Sequence, residues 1–284
     1  MTRQLPHICI GLAAESRGTP LRISVITIAW NDLEGLKKTI ASVRSQTWVE
    51  IEHIVVDGGS TDGTADYLAG LDATVRWVSE PDDGRYDAMN KGARMATGSL
   101  LWFLHSSDTF HAPDSAAFVA SKYAESEFQW GYGLSNIVRD NQSIGIGGQI
   151  PFEHARFLIG GRIVPHQATI FSRKLFWELD GYDTTFGLTA DQLFMMKCSM
   201  RALPEVWAEV LCDFDALGAG STRNAWAHYK DMIRARESAK ISVTKWPKID
   251  TGLSVFFACF TMFERLLRRP LRQANPSQAT GVVR

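Results

Sequence analysis

The sequence predicts an α/β fold: a doubly wound, mostly parallel sheet flanked by helices, with a helical extension at the C-terminus. Three observations predict it. Strand-like and helix-like patterns alternate four times within the first hundred or so residues. The first and fourth strand-like runs, ISVITIA and LLWFL, are nearly all apolar rather than alternating, as in strands buried on both faces. Each run also ends in a polar tip, the place where open sheets of this kind hold their ligands.

Ile23 to Ala29 (ISVITIA) is the first strand, rich in β-branched residues. Asn31 or Asp32 caps the following helix, in which Leu33, Leu36, Ile40 and Val43 recur at helical spacing. Glu52 to Val56 is the second strand and Thr61 to Leu71 the second helix; Val75 to Val78 is a short third strand. Asp87 to Ala96 reads as a helix whose small face, Ala88, Gly92, Ala93 and Ala96, predicts close packing. Leu100 to Leu104 is the fourth strand. The strand tips are Trp30–Asn31, Asp57–Gly59, Glu80–Asp83 and His105–Asp108, and three of the four are acidic. Beyond Asp108 the alternation fades. Ser115 to Glu127 reads as a helix, Phe128 to Ile146 as strand pieces broken by glycine, Pro165 to Phe171 as a strand, Ala190 to Met200 and Asn224 to Val243 as helices. The domain plan is an N-terminal arm (1–20), two halves of one domain (21–110 and 111–222) and C-terminal helices (223–284).

The 284 residues are 45% hydrophobic and 21% charged, enough for a sizeable core. A net charge of -1 argues against a general nucleic-acid binder. Cys9, Cys198, Cys212 and Cys259 are scattered without metal-ligand spacing, so reduced thiols in a cytoplasmic protein are expected. The first twenty residues lack a charged start followed by a long apolar run, so a secretory signal is not expected.

Asp57 in VVDGGSTDGT stands at a strand end, where a carboxylate can accept hydrogen bonds from a base while Gly58 and Gly59 let the backbone approach. A plain turn explains it equally well, and helix capping explains Asp62 better. No G-x-G-x-x-G opens the first helix and no G-x-x-x-x-G-K-[ST] occurs, which argues against dinucleotide oxidoreductases and P-loop enzymes. LLWFLHSSD ends an apolar strand in Asp108, where one carboxylate plus substrate oxygens and water suffices for a divalent cation; a helix cap is the alternative.

ISVITIAWN, then VVDGGSTDGT, then SEPDDGRYDAMNKGARMATGSLLWFLHSSD resembles a family two glycosyltransferase of the GT-A fold. The resemblance is closest to the bacterial subgroup that builds cell-surface polysaccharides and glycolipids. It runs strongly over residues 23–110 and more weakly through IVPHQATIFSRKLFWELDGYDTTFGLTADQLFMMK. It implies that Asp57 binds the pyrimidine of a nucleotide sugar, with uracil the commonest base, helped by the backbone from Ala29 to Asn31. Asp83, Arg85, Asn90 and Ser107 fall where such enzymes line the donor pocket. Asp108 takes the last position of their acidic metal motif, with Mg²⁺ or Mn²⁺ as the implied ion. Ser106 and Ser107 replace residues that are frequently Asn and Asp there, a departure that thins the metal site. Asp191 in TADQLF matches the catalytic base, whereas unaided it reads as an acid placed at a helix N-terminus. His166 matches a position common in the subgroup, although a lone histidine is more often structural. Gly220 to Thr222 resembles a late loop of the subgroup.

The implied reaction is inverting transfer from a nucleoside-diphosphate sugar to a hydroxyl of a lipid-linked or glycan acceptor. Two other classes compete. A catalytically silent nucleotide-sugar binder or scaffold is compatible with the thinned acidic motif. A nucleotidyltransferase would carry a glycine-rich basic loop after the first strand, and AWNDLEG is not one. From Leu253 the apolar residues Phe256, Phe257, Phe260, Phe263, Leu266 and Leu267 keep helical spacing, followed by Arg265, Arg268 and Arg269. The run is too short to span a bilayer. It fits an amphipathic helix, residues 251–269, on the inner face of the plasma membrane, or one packed on the catalytic domain or in a homodimer.

Overall fold

The structure, a computed structural model, describes residues 21–48, 50–216 and 225–268. The N-terminal arm, Cys9, the Gly220–Thr222 loop and Arg269 lie outside the described residues.

The first half is the βαβ succession the sequence predicts: β1 (Ile23–Ala29), α1 (Leu33–Arg44), β2 (Ile51–Asp57), α2 (Thr64–Ala69), β3 (Val75–Ser79), α3 (Arg85–Met95) and β4 (Leu100–Phe103). These four strands are parallel and stand in the order β3-β2-β1-β4, so the chain reverses its winding direction between β1 and β4. Ile26, Ile54 and Val56 point to the layer of α3, where they meet Ala88, Met89 and Ala93. Ala29 and Val55 face α1 and α2 with Leu36, Ile40 and Leu68. Burial on both faces is why β1 and β4 read as nearly unbroken apolar runs, whereas the edge strand β3 carries Arg76. The small face of α3 is required by contact: a Cβ at Gly92 would lie 2.4 Å from the Ile26 Cγ2.

The second half adds β5 (Thr109–Phe110), α4 (Ser115–Ser126), the hairpin β6 (Trp130–Arg139) and β7 (Gln142–Gly147), α5 (His154–Ile159), β8 (Thr169–Ser172), α6 (Arg173–Glu178), α7 (Ala190–Arg201) and β9 (Glu205–Asp215). The sheet continues from β4 as β8-β6-β9-β5, with β7 beside β6. Here the pairing is mixed: β8 runs against β4 and β6, while β9 runs parallel to β6. Three expectations change. The second helix begins at Thr64, because Asp62 and a left-handed Gly63 form a turn ahead of it. The run from Pro165 begins as one 3-10 turn, His166–Ala168, before β8. The helix expected to reach Val243 is α8 (Ala225–Ser238), and α9 (Pro247–Arg268) follows it. Left-handed Lys240, with Ile241 N–H bonded to Arg236 O at 3.0 Å, closes α8 early.

Candidate functional site

Two tips flank the carboxyl end of β1. Asp57, the last residue of β2, stands opposite Ala29. On the other side the β1–β4 ladder runs on, with Leu104 N–H donating to Ile26 O at 3.0 Å and Ser106 N–H to Ile28 O at 3.1 Å. Neighbouring strands lie about 4.8 Å apart, so the tips are separated by roughly 10 Å across β1.

The Asp57 tip is knit together by its own groups. The Asp57 carboxylate is buried and accepts from the Ser60 N–H (3.1 Å), the Ser60 hydroxyl and the Ser79 hydroxyl (2.6 Å). Left-handed Asn31 donates its N–H to Ser60 Oγ (2.7 Å) and accepts from Thr61 N–H (2.8 Å). The Ala29 carbonyl receives Gly58 N–H at 2.9 Å. Asp62 is not the cap expected for α2, whose N-cap is Gly63; it forms the turn ahead of that helix, accepting from the Thr64 hydroxyl (2.6 Å) and from Leu33 N–H (2.9 Å). Those bonds, the Thr64 hydroxyl first, hold its carboxyl below the usual range. Trp30 projects beside this tip, 70% exposed. A Cβ at Gly58 would meet the Asp82 carboxylate at 2.6 Å and the Trp30 ring at 3.4 Å, so Gly58 is where three chain segments converge.

The β4 tip rests on the start of α1. Asp32 caps α1 by accepting Gly35 N–H at 3.1 Å, and its other oxygen accepts the hydroxyl of left-handed Ser107 at 3.0 Å. Gly35 permits the contact, since a Cβ there would lie 2.1 Å from Ser107 Oγ. The Thr39 hydroxyl donates to Asp108 O at 2.7 Å. The Asp108 side chain is buried and accepts Asp215 N–H at 2.9 Å. Burial, reinforced by the charge of Asp215, pushes its carboxyl up to about 8.

Behind Asp108 lies a group of buried rings. His105 and His166 are 5.6 Å apart between ring centroids, and burial holds both imidazoles below their ordinary range. His166 Nε2 pairs with the Tyr182 hydroxyl at 2.8 Å, whereas His105 Nε2 is buried without a hydrogen bond. Asp191 sits in the first turn of α7 and accepts the Tyr86 hydroxyl at 3.1 Å. Burial, then the charge of Asp191, raises the Tyr86 phenol, which therefore stays a donor. Arg85 opens α3 close enough that its charge acts on His105, His166 and Tyr86.

Arg85, Ser107, Asp108, His166 and Asp191 thus gather around one end of the sheet, beside the tip formed by Ala29, Asn31 and Asp57. Asp83 is exposed, its N–H bonded to Asp87 at 3.2 Å. Asn90 stands apart: it is buried, and its amide exchanges two hydrogen bonds with the backbone of Tyr182, at 2.8 and 3.0 Å, fastening α3 to the segment ahead of α7. Sequence reasoning placed Asp32 as a cap of α1, which it is, but missed its bond to Ser107; it also missed Tyr86, Tyr182 and Asp215, joined to Asp191, Asn90 and Asp108 across long stretches of chain. Trp30 was within reach of it, as a tryptophan at a polar strand tip.

No cluster of three or more His, Cys, Asp or Glu residues suited to a metal occurs among the described residues. The donor set at Asp108 is a buried carboxyl beside a second acid, Asp215. It suits a hard divalent cation that takes its remaining oxygens from a diphosphate and water.

Residues 24–131 match the family model for glycosyl transferase family 2. An uncharacterized glycosyltransferase of Mycobacterium tuberculosis is 45% identical over 218 residues, spanning 75% of this chain and 82% of the relative. The chain belongs to glycosyl transferase family 2. A PGL/p-HBAD biosynthesis glycosyltransferase of Mycobacterium bovis is 31% identical over 240 residues, which cover 80% of this chain and 91% of that one. Among solved structures, S. aureus TarS in complex with UDP-GlcNAc superposes with a TM-score of 0.61 at 17% identity, over 76% of this chain and 65% of that one. A mannosyltransferase of Pyrobaculum calidifontis, in complex with GDP-Man and Mn²⁺, superposes with a TM-score of 0.58 at 18% identity, covering 87% and 75%. The fold of this glycosyltransferase is GT-A, as its sequence predicts.

Proposed function

We propose that this family two member transfers a sugar, with inversion, from a UDP-sugar to a hydroxyl of a lipid-linked or glycan acceptor in cell-envelope biosynthesis. The observation that carries the reading is the placement of Asp191. A carboxylate in the first turn of a helix, oriented by Tyr86, acts by its charge on His166, whose ring lies beside His105 at the β4 tip. The glycolipid acceptor is favoured by the named pathway of the relative from M. bovis, and UDP by the TarS complex.

In this reading residues 21–110 form the donor half, 111–222 the acceptor half and 223–284 a peripheral extension. Asp57 and the backbone from Ala29 to Asn31 receive the base, with the exposed Trp30 indole as a face for it to lie on. Arg85, Asp83 and Ser107 line the donor pocket, and Asn90 supports it from behind by holding Tyr182. Asp191 takes the proton of the acceptor hydroxyl as that oxygen attacks the anomeric carbon. His166, buried against Tyr182, positions the acceptor side rather than shuttling a proton. Asp108, with Asp215 beside it, would hold Mg²⁺ or Mn²⁺, which supplies neutralisation of the charge on the departing diphosphate. The site would work on the inner face of the plasma membrane.

The test is a panel of nucleotide sugars, read by thermal stabilisation with and without Mn²⁺, then by transfer to an extracted lipid-linked acceptor. One UDP-sugar that stabilises only with metal, and a product of inverted anomeric configuration, are expected. Transfer with retention, or stabilisation by no nucleotide sugar, refutes the reading.

A further inference from the structure

α9 turns its polar side inward. Asp250, Ser254 and Ala258 are wholly buried, spaced four residues apart along one face. Buried Arg236 of α8 donates to Ser254 Oγ at 2.9 Å and to Thr251 Oγ1 at 3.3 Å. Ser254 in turn donates to Ile159 O at 2.9 Å, which ties α9 to the end of α5. The Asp250 carboxylate accepts from Ser242, Val243 and Thr244 at 2.7 to 3.0 Å. These seven hydrogen bonds fix the rotation of the helix about its axis.

The apolar side is left facing out. Phe256 is 60% exposed, Phe260 50% and Phe263 57%, in line with Ile249 and, just ahead of the helix, Trp246. Phe256 and Phe260 stack with centroids 6.4 Å apart. A stripe of large aromatics in water is costly, and monomeric proteins rarely keep one without a use for it. From Thr251 to Phe263 the sequence carries no charge. Exposed Lys245 and Lys248 stand at one end of the stripe, and the sequence places Arg265, Arg268 and Arg269 beyond the other, with Glu264 the single acid among them.

We propose that this face docks the protein flat onto an anionic lipid surface. The aromatic stripe enters the headgroup–acyl boundary, and the basic ends take the lipid phosphates. Trp246 sits where an amphipathic ring favours the interface. Charge decides against self-association: two copies paired through this face, parallel or antiparallel, set basic ends against basic ends. A membrane supplies the missing counter-charge. The inference deepens the acceptor reading given above, because α8 lies between α9 and the helix that carries Asp191.

The test is flotation of the full chain with phosphatidylglycerol vesicles and with phosphatidylcholine vesicles. The wild type is expected to float with the anionic vesicles and at least about tenfold less with the neutral ones. Phe256→Ser, Phe260→Ser and Phe263→Ser together are expected to cut anionic binding by about tenfold or more, with the melting temperature and UDP-sugar binding unchanged. Lys245→Gln with Lys248→Gln, which touches no core residue, is expected to weaken it severalfold. Equal flotation with both lipids, retention of binding by the triple variant, or a dimer in sedimentation that the triple variant abolishes would each overturn the proposal. Failure of the wild type to bind any nucleotide sugar would instead refute the transferase reading and leave the docking result standing.

Discussion

The two tips beside β1 differ in how they satisfy their polar groups. At the β2 tip the buried Asp57 carboxylate has three donors from Ser60 and Ser79, and Asn31 locks the loop from the neighbouring strand. At the β4 tip a buried carboxyl, Asp108, faces a second acid, and a buried imidazole nitrogen, on His105, has no partner. Buried polar groups in native proteins are nearly always paired, so the two tips differ in how complete they are. The β2 tip satisfies its buried carboxylate from within. The β4 tip sets a buried carboxyl beside a second acid, the place where the proposed cation and diphosphate would bind.

The contrast is tested most decisively at Asp191, whose charge acts on His166 beside the β4 tip. Asp191→Asn keeps the shape and the Tyr86 contact but cannot take a proton. Transfer is expected to fall by about 10²- to 10⁴-fold. The dissociation constant for the UDP-sugar, measured by calorimetry, should stay within about threefold. A parallel loss of donor affinity would place Asp191 in the donor pocket and remove the base. Next in size is Asp57→Ala on the β2 side. Loss of a charged acceptor there is expected to weaken donor binding by about 10- to 100-fold, the equivalent of roughly 1.5–3 kcal/mol. Lower stability with unaltered donor affinity would make the β2 tip a turn and nothing more.

The first half of the fold was legible because β1 and β4 are buried on both faces, which writes each as a nearly unbroken apolar run ending in a polar tip. Residues 23–110 also held most of the candidate site residues. β9 was not legible: EVWAEVLCDFD mixes charge and apolar residues, since it pairs inside a mixed sheet with faces of unequal burial. With it went Asp215, whose N–H reaches Asp108 across 107 residues of chain. Tyr86 stood just ahead of the helix read from Asp87 and drew no role, since its bond to Asp191 spans 105 residues. For α9 the apolar period was plain, but not which side faces the protein. Asp250, Ser254 and Ala258 at four-residue intervals carried that information, and an aromatic pattern drew attention away from it.

A smaller effect sharpens how the β4 tip is held. Gly35→Ala places a methyl against Ser107 Oγ and the Asp32 carboxylate, where a Cβ would lie 2.1 and 2.2 Å away. Overpacking of this kind is expected to cost about 1–3 kcal/mol in chemical denaturation. The damage should fall on metal-dependent stabilisation by UDP-sugar more than on the Asp57 side. Equal damage to both would make the two tips one rigid unit.

The smallest expected effect tests the buried acid of the β4 tip through pH. The Asp108 carboxyl titrates near 8 in the native state and near 3.8 when unfolded, so between those values the native state holds the extra proton. Stability must then fall as pH rises through this window. His53, lowered to about 3 by burial and Arg44, works in the opposite sense, adding stability as pH rises toward 6.5. His105, His154 and His166 are also lowered by burial and share that sign. At pH 6.5 the unfolded imidazoles are still half protonated, so between pH 6.5 and 8 their gain offsets the Asp108 loss, and the Asp108 proton stands out only by difference. In EDTA, stability measured from pH 6.5 to 8 should fall in the wild type relative to Asp108→Asn by on the order of 1 kcal/mol. Mn²⁺ with a UDP-sugar should shrink that difference. Identical pH dependence of the wild type and Asp108→Asn would mean that the β4 tip carries no buried proton, and the two tips would then be equally well satisfied.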